Sequence, residues 1–264
     1  MAIVDVNFYS NALNRQVAYK AVIPTDGPFY PGMEPRGLKP FRTLYLLHGI
    51  MGNSSDWVAY SRIAPLAAEH QIAVIMPSGD NSFYVDQAAS CNYYGEYIGR
   101  ELVEETRKLL PLSVNREDTF IAGLSMGGYG ALRNGLKYHE TFSAIAGLSS
   151  ALIQEQAIHS IEDAEWVFGK RSYYEATFGD LSKLAGSDKD VETLTKRIIE
   201  TGDALPRIYL ACGTEDFLLE NNRRYRDFLI AEQLEHTYLE SPGAHDWKFW
   251  DEYIEKVLLW LAKK

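Results

Sequence analysis

A chain of 264 residues that is 46% hydrophobic and 12% aromatic carries enough apolar material for one large α/β domain, which excludes a disordered or fibrous protein. A formal charge of −10 argues against a nucleic-acid partner, because binding phosphates requires clustered Lys and Arg. No window is long and apolar enough to span a bilayer, and Met1 to Ser10 lacks the basic-then-apolar pattern of a signal peptide, so a soluble, cytoplasmic protein with no membrane partner is expected.

Two early segments, Ile3 to Tyr9 and Gln16 to Ile23, alternate apolar and polar residues and are predicted to pair as antiparallel strands at one sheet edge. Pro24 to Pro40 is rich in Pro and Gly and reads as a long loop. Apolar runs then alternate with helical patterns. Thr43 to Leu47 precedes a helix at Ala59 to His70, Ile72 to Met76 precedes one at Tyr93 to Leu110, and Thr119 to Leu124 precedes one at Gly127 to Tyr138. This alternation is the signature of a mostly parallel sheet covered by helices on both faces. It stops after Phe142 to Leu148, and Ser150 to Asp203, polar with scattered aromatics, reads as a helical, cap-like insertion within the single domain. It resumes with a strand at Ile208 to Cys212, a helix around Tyr225 to Glu232 and a strand at Thr237 to Glu240. In the last helix Trp250, Tyr253, Ile254, Val257, Leu258 and Leu261 form one apolar stripe. Of the two cysteines, Cys212 falls in a predicted buried strand, so reduced thiols are expected rather than a structural disulfide with Cys91.

The chemistry concentrates at Gly123-Leu124-Ser125-Met126-Gly127, where a buried strand turns sharply into a helix. Glycines on both sides let the backbone pass close to itself, and the turn exposes the Ser125 hydroxyl. A serine hydroxyl needs a base to take its proton, and the base needs a carboxylate to orient it. Asp216, in Gly213-Thr214-Glu215-Asp216, and His245, in Pro242-Gly243-Ala244-His245-Asp246, each follow a strand, so both should reach the rim that Ser125 occupies. Ser, Asp, His is the chain order of an α/β-hydrolase. Glu215 competes for the acid role, with Asp216 preferred because it stands one residue further from the strand end. His70, His139, His159 and His236 read as solvated or capping residues, and Asp246 and Asp251 as groups that cap or flank the last helix.

An oxyanion hole requires two backbone N–H groups aimed at the developing charge. Met126 supplies one, and Ile50, in the glycine-bearing loop His48-Gly49-Ile50-Met51-Gly52, is the best candidate for the other. His48 reads as a structural hydrogen-bonding residue. Among the aromatics near the rim, Trp57, Tyr84 and Trp247 are candidates to line a substrate pocket, while Trp166, Phe168, Tyr173, Tyr174 and Phe178 either pack the cap or narrow the acyl site.

At these residues the chain resembles the esterase D family of α/β-hydrolases, and within it the bacterial tributyrin esterases. The likeness rests on Leu46-Leu47-His48-Gly49-Ile50-Met51-Gly52-Asn53, on Phe120 to Gly130 around the nucleophile, on Gly213-Thr214-Glu215-Asp216-Phe217 and on Gly243-Ala244-His245-Asp246-Trp247. It implies Ser125 as nucleophile, Asp216 as acid, His245 as base, and Ile50 and Met126 as oxyanion donors. The family also holds S-formylglutathione hydrolases, feruloyl and acetyl xylan esterases, and mycolyl transferases. The first of these commonly carry a cysteine where this chain has Met51-Gly52, which argues against that activity. The sequence thus points to a serine carboxylesterase for short-chain acyl esters, including acylated carbohydrates, with no cofactor and no metal. An acyltransferase with the same triad is the near alternative, a non-catalytic binding module the distant one, and a homo-oligomer is left open.

Overall fold

The computed structural model describes residues 1–25 and 40–263; the loop expected at Pro24 to Pro40 lies, but for its ends, outside the described residues. Among the described residues ten strands occur: β1 (Ala2–Ser10), β2 (Arg15–Ile23), β3 (Arg42–Leu47), β4 (Ile72–Pro77), β5 (Asp86–Gln87), β6 (Asn92–Tyr93), β7 (Thr119–Leu124), β8 (Ala144–Leu148), β9 (Arg207–Gly213) and β10 (His236–Ser241). All but the small β5–β6 pair form one sheet in the order β1-β2-β4-β3-β7-β8-β9-β10. β1 and β2 pair antiparallel, as the alternating sequence predicts, and β2 joins β4 antiparallel; every other pairing within that sheet is parallel. The chain moves outward from β3 to β4 and then returns to lay β7 on β3's other side. The carboxyl ends of β3 and β7 therefore flank a switch point, where open α/β sheets bind ligands.

The central strands are buried on both faces, which is why they read as continuous apolar runs. Period-two alternation sends Tyr45, Leu47, Ile121, Ile145 and Leu210 into one core and Leu44, Leu46, Phe120, Ala144 and Ala211 into the other. The second core is closed by α1 (Asp56–Tyr60), α2 (Ile63–Glu69) and, at the chain's far end, α10 (Trp247–Ala262). In α10, Trp250, Tyr253, Ile254, Val257, Leu258 and Leu261 are all buried, so the expected stripe is the packed face. The first core lies under α3 (Tyr94–Glu96), a π turn (Tyr97–Glu101), α4 (Leu102–Leu109), α5 (Met126–Lys137), α6 (Gln154–Ile158), α7 (Arg171–Phe178), α8 (Val191–Thr201) and α9 (Leu219–Ala231).

Three expectations are corrected. The helix predicted over Ala59 to His70 is two, broken at Ser61 and Arg62. Ser61 is extended, and Arg62 is tied by its backbone N–H and its Nε to Asp251 of α10 (2.6 and 2.7 Å). Asp251 therefore holds the start of α2 and does not cap its own helix. The alternation of strand and helix does not stop at residue 150 either. α8 buries Val191, Leu194 and Ile198 in the sheet-covering core and serves as the crossover between β8 and β9. Its register was hidden behind the aromatic segment that precedes it, so the extra structure is confined to the stretch before α8. That stretch is tied to α5 by the fully buried Arg133, whose Nε donates to Asp188 O (3.0 Å) and whose Nη2 pairs with Asp188 (2.6 Å) and Asp86 (3.4 Å).

Candidate active site

β7 ends at Leu124 and α5 begins at Met126, leaving Ser125 alone on the turn with φ 54° and ψ −119°. A non-glycine residue in that region is strained, and surrounding bonds hold it there. Ser125 N–H donates to Leu148 O (2.9 Å), and Ser125 O accepts from Tyr129 N–H (3.1 Å) and Ala151 N–H (2.9 Å). The flanking glycines are a steric necessity. A Cβ on Gly123 would sit 2.3 Å from Gly127 O, and one on Gly127 would sit 2.5 Å from both Leu47 O and His48 O.

Parallel pairing brings the ends of β9 and β10 to the same rim. After β9 the chain turns through Asp216, whose Oδ1 accepts from Leu218 N–H (2.8 Å) and whose Oδ2 lies 2.8 Å from His245 Nδ1. His245 Nε2 lies 3.0 Å from Ser125 Oγ. A carboxylate facing Nδ1 requires the proton there, so Nε2 presents its lone pair to the serine hydroxyl. Burial works to raise the Asp216 carboxyl, but the hydrogen bonds from His245, Leu218 N–H and Ser149 outweigh it and hold the group below the usual carboxylate range. The imidazole ring is fixed between Phe217 (ring centroids 4.6 Å apart) and the edge of Trp250 (4.9 Å), whose Nε1–H donates to Ser149 Oγ (3.1 Å). The competing acid, Glu215, is exposed and committed elsewhere, accepting from Thr214 Oγ1 (2.7 Å) and from Gly243 N–H.

The loop after β3 is held from behind. His48 is buried; its Nε2 accepts from Gly79 N–H (2.8 Å) and its Nδ1–H donates to Gly49 O (2.6 Å). Burial pushes its pKa down, and the carbonyl contact with Gly49 only partly opposes this, so the ring is a neutral structural link. Met51 N–H donates to Asn81 Oδ1 (2.7 Å) and Gly52 N–H to Gly49 O (3.2 Å). Ile50 and Met126 both border the cavity beside Ser125, and Met126, opening α5, has no carbonyl one turn back within the helix to receive its N–H.

That cavity, about 410 Å³, is bounded by Ile50, Met51, Phe83, Met126, Ala151, Ile153, Leu218 and Phe217, and by Gln156, Trp166, Phe168 and Tyr174 from the segment after β8. Of the aromatic candidates from sequence, Trp57, Tyr84 and Trp247 do not line it. Trp57 is 1% exposed, donates from Nε1 to Leu47 O (3.1 Å) and packs edge-on against Trp247 (5.2 Å). Trp247 is wedged among Trp57, Tyr60 and Trp250. Tyr84 is fully buried and donates its hydroxyl to His48 O (2.9 Å). The polar tips of Trp57 and Tyr84 found main-chain partners behind the rim and Trp247 packs among other rings, so these side chains brace the loops instead of lining the cavity. The later aromatic cluster divides: Trp166, Phe168 and Tyr174 face the cavity, while Phe178 packs on Tyr129 and Phe83, and Tyr173 donates its hydroxyl to Asn81 O (2.7 Å). Phe83 and Phe217 escaped the sequence reading as wall residues. Phe83 has φ 51°, a left-handed backbone that no local pattern announces, and Phe217 owes its place to the turn that follows Asp216.

Among the described residues no group of three or more His, Cys, Asp or Glu side chains is arranged to hold a metal ion. No helix among them is long and apolar enough to cross a membrane.

A mainly parallel sheet flanked by helices, with Ser, Asp and His brought together at its carboxyl edge, defines an α/β-hydrolase. Solved structures agree. Fluorophosphonate-binding serine hydrolase F of Staphylococcus aureus superposes with a TM-score of 0.87 at 30% identity, covering 100% of this chain and 99% of that one. An S-formylglutathione hydrolase from the same organism gives 0.85 at 30%, covering 99% of each. Residues 10–261 match the model of the Esterase family, and an acetyl esterase of Caldicellulosiruptor saccharolyticus is 44% identical over 266 aligned positions, spanning 100% of this chain and 99% of that protein. The chain belongs to the Esterase family and is a carboxylic ester hydrolase.

Proposed function

We propose that the protein is a serine carboxylesterase that hydrolyses short-chain acyl esters through an acyl-enzyme. The observation that carries this reading is the unbroken relay from Ser125 Oγ to His245 Nε2 (3.0 Å) and from His245 Nδ1 to Asp216 (2.8 Å). His245 takes the hydroxyl proton as Ser125 Oγ attacks the ester carbonyl carbon, and Asp216 stabilises the resulting imidazolium. Ile50 and Met126 N–H groups receive the oxyanion. His245 then returns the proton to the departing alkoxide, and a water molecule repeats the sequence on the acyl-enzyme to release the acid.

The similarity to an acetyl esterase favours small acyl groups, and Trp166, Phe168 and Tyr174 give the cavity beside Ser125 an aromatic wall against which an acyl or alcohol chain can pack. Turnover should therefore be highest for acetyl to butyryl esters, the range of the tributyrin esterases. S-Formylglutathione is the second reading, favoured by the likeness to a hydrolase of that thioester. The cavity wall weighs against it, since among the described residues it presents no Lys or Arg to the two carboxylates of glutathione.

The test is a panel of p-nitrophenyl esters from acetyl to decanoyl run beside S-formylglutathione, on the parent and on Ser125→Ala. The parent should be labelled by a fluorophosphonate and the variant should lose both labelling and several orders of magnitude in kcat. A variant that still turns over removes Ser125 from the role. A preference for decanoyl would refute the small-acyl reading, and faster turnover of the thioester than of any oxygen ester would establish the second one.

A further inference from the structure

The cavity beside Ser125 has a mainly apolar wall; besides Ser125 and His245, the polar side-chain groups on it among the described residues are the Trp166 indole N–H, the Tyr174 hydroxyl and the amide of Gln156, an exposed residue near the end of the short α6. What Gln156 can offer a ligand is fixed by its neighbour. Asn221 Nδ2 donates to Leu152 O (2.8 Å), a backbone carbonyl that can only accept, so the amide end of Asn221 is identified without ambiguity. The same nitrogen lies 3.2 Å from Gln156, and a nitrogen with a second proton to give must face an acceptor there, which is Gln156 Oε1. Oε1 is thereby committed, and no partner of Gln156 Nε2 occurs among the described residues. Gln156 is left as a hydrogen-bond donor on the border of a mainly apolar chamber, its orientation set by Asn221.

The same wall constrains the rest of the ligand. A sugar ring placed inside would bury several hydroxyls against Ile153, Phe168, Phe217 and Leu218, where they have no partner, and such groups are costly to bury unpaired. At its mouth the wall stays largely apolar, with Met51 (69% exposed), Trp166 (53%) and Phe217 (76%) turned partly to solvent.

We propose that Gln156, oriented by Asn221, is a specificity-determining residue that reads one hydrogen-bond-accepting oxygen on an otherwise apolar ester, so that a bare sugar is not the portion the chamber takes. This deepens the esterase reading and rests on it. The substrate class is an ester whose buried part is aliphatic or aromatic and carries a single ether, keto or second ester oxygen. No proton or bond changes at Gln156, which acts on binding in the ground and transition states alike.

The experiment uses pairs in which one methylene is replaced by oxygen. On the acyl side these are p-nitrophenyl pentanoate and p-nitrophenyl 3-methoxypropanoate; on the alcohol side, pentyl acetate and 2-ethoxyethyl acetate. The ratio of kcat/KM within each pair is measured for the parent, for Gln156→Met, which keeps the length and removes the donor, and for Gln156→Glu, which replaces the donor with an acceptor. Intrinsic reactivity cancels between enzymes. In one of the two pairs Gln156→Met should lower the oxygen-to-methylene ratio about three- to tenfold, the range of a neutral hydrogen bond, and Gln156→Glu should lower it further. Asn221→Leu, which frees the Gln156 amide to rotate, should move the same ratio in the same direction by a smaller factor. Ratios that match across all four enzymes in both pairs overturn the proposal, as does higher turnover of an acetylated monosaccharide than of either acetate. Fluorophosphonate labelling of Ser125 runs alongside. Its failure would indict the esterase reading, whereas intact labelling with unchanged ratios indicts Gln156 alone.

Discussion

Gly127→Ala tests whether the proposed oxyanion donors, Ile50 and Met126, depend on contact between the backbones that carry them. The added methyl would stand 2.5 Å from Leu47 O and His48 O, both main-chain atoms that cannot rotate away. Restoring ordinary van der Waals separation requires the end of β3 and the first turn of α5 to part by about 1 Å. Overpacking of that kind costs about 1–3 kcal/mol, which in a chain of this size lowers Tm by roughly 2–10 °C. The kinetic loss should be out of proportion to that. Ile50 rides on the loop leaving β3 and Met126 on α5, so the same displacement spreads the two amides, and loss of one oxyanion donor costs about 100- to 1,000-fold in kcat. Initial rates on p-nitrophenyl butyrate, with Tm followed by differential scanning fluorimetry, provide the assay. Retention of kcat within threefold, with Tm lowered as expected, would show that the donors are not positioned by this contact and would refute the assignment of Ile50.

Asp216→Asn should lose several orders of magnitude in kcat, because an amide cannot stabilise the imidazolium, whereas Glu215→Gln, altering a group that only ties Thr214 to Gly243, should stay within about tenfold; the reverse order would transfer the acid role. The depressed pKa of buried His48 makes stability pH-dependent: its contribution is complete above the unfolded value of about 6.5 and is lost as pH falls from there toward the folded value, by up to about 1.4 kcal/mol per pH unit. Tm measured from pH 8 to pH 5 should accordingly fall more steeply for the parent than for His48→Gln, and parallel profiles would contradict it. Burial, reinforced by the charge of Asp216, pushes the Cys212 thiol up to about 12, while Cys91 is exposed, so a disulfide reagent at pH 8 should titrate one thiol in the native protein and a second only on unfolding. Two fast-reacting native thiols would mean that β9 opens.

What the sequence revealed and what it concealed follow from the range of the forces involved. The turn at Ser125 was legible because its requirement is local: two glycines at fixed offsets from a serine, between an apolar run and a helical one. Asp216 and His245 were legible because parallel strands deliver their ends to one rim, so chain order and loop position suffice to bring them together. The walls of the cavity were not, because a ring's direction depends on which carbonyl its polar tip finds. Trp57 and Tyr84 turned inward to Leu47 O and His48 O, while Phe83, on the same left-handed stretch of backbone as Tyr84, turned toward the cavity. Nothing in residue type separates these cases. That α8 belongs to the frame and not to the insertion was not legible for the opposite reason, since its apolar face was present in the sequence but stood beside a segment whose composition dominated the reading.

The way the cavity is assembled bears on how such enzymes diversify and how this one is redesigned. Ser125, Asp216 and His245 hang from strand ends, whereas Ala151, Ile153, Gln156, Trp166, Phe168 and Tyr174 all come from one stretch of chain between β8 and α8. A graft of that stretch from another family member should therefore change much of the cavity wall while leaving Ser125, Asp216 and His245 in place. The seam has a definite location. Because Arg133 of α5 grips Asp188 and α8 belongs to the frame, a graft that ends before Asp188 keeps the scaffold's own fastening, and one that runs through it replaces the bolt along with the panel.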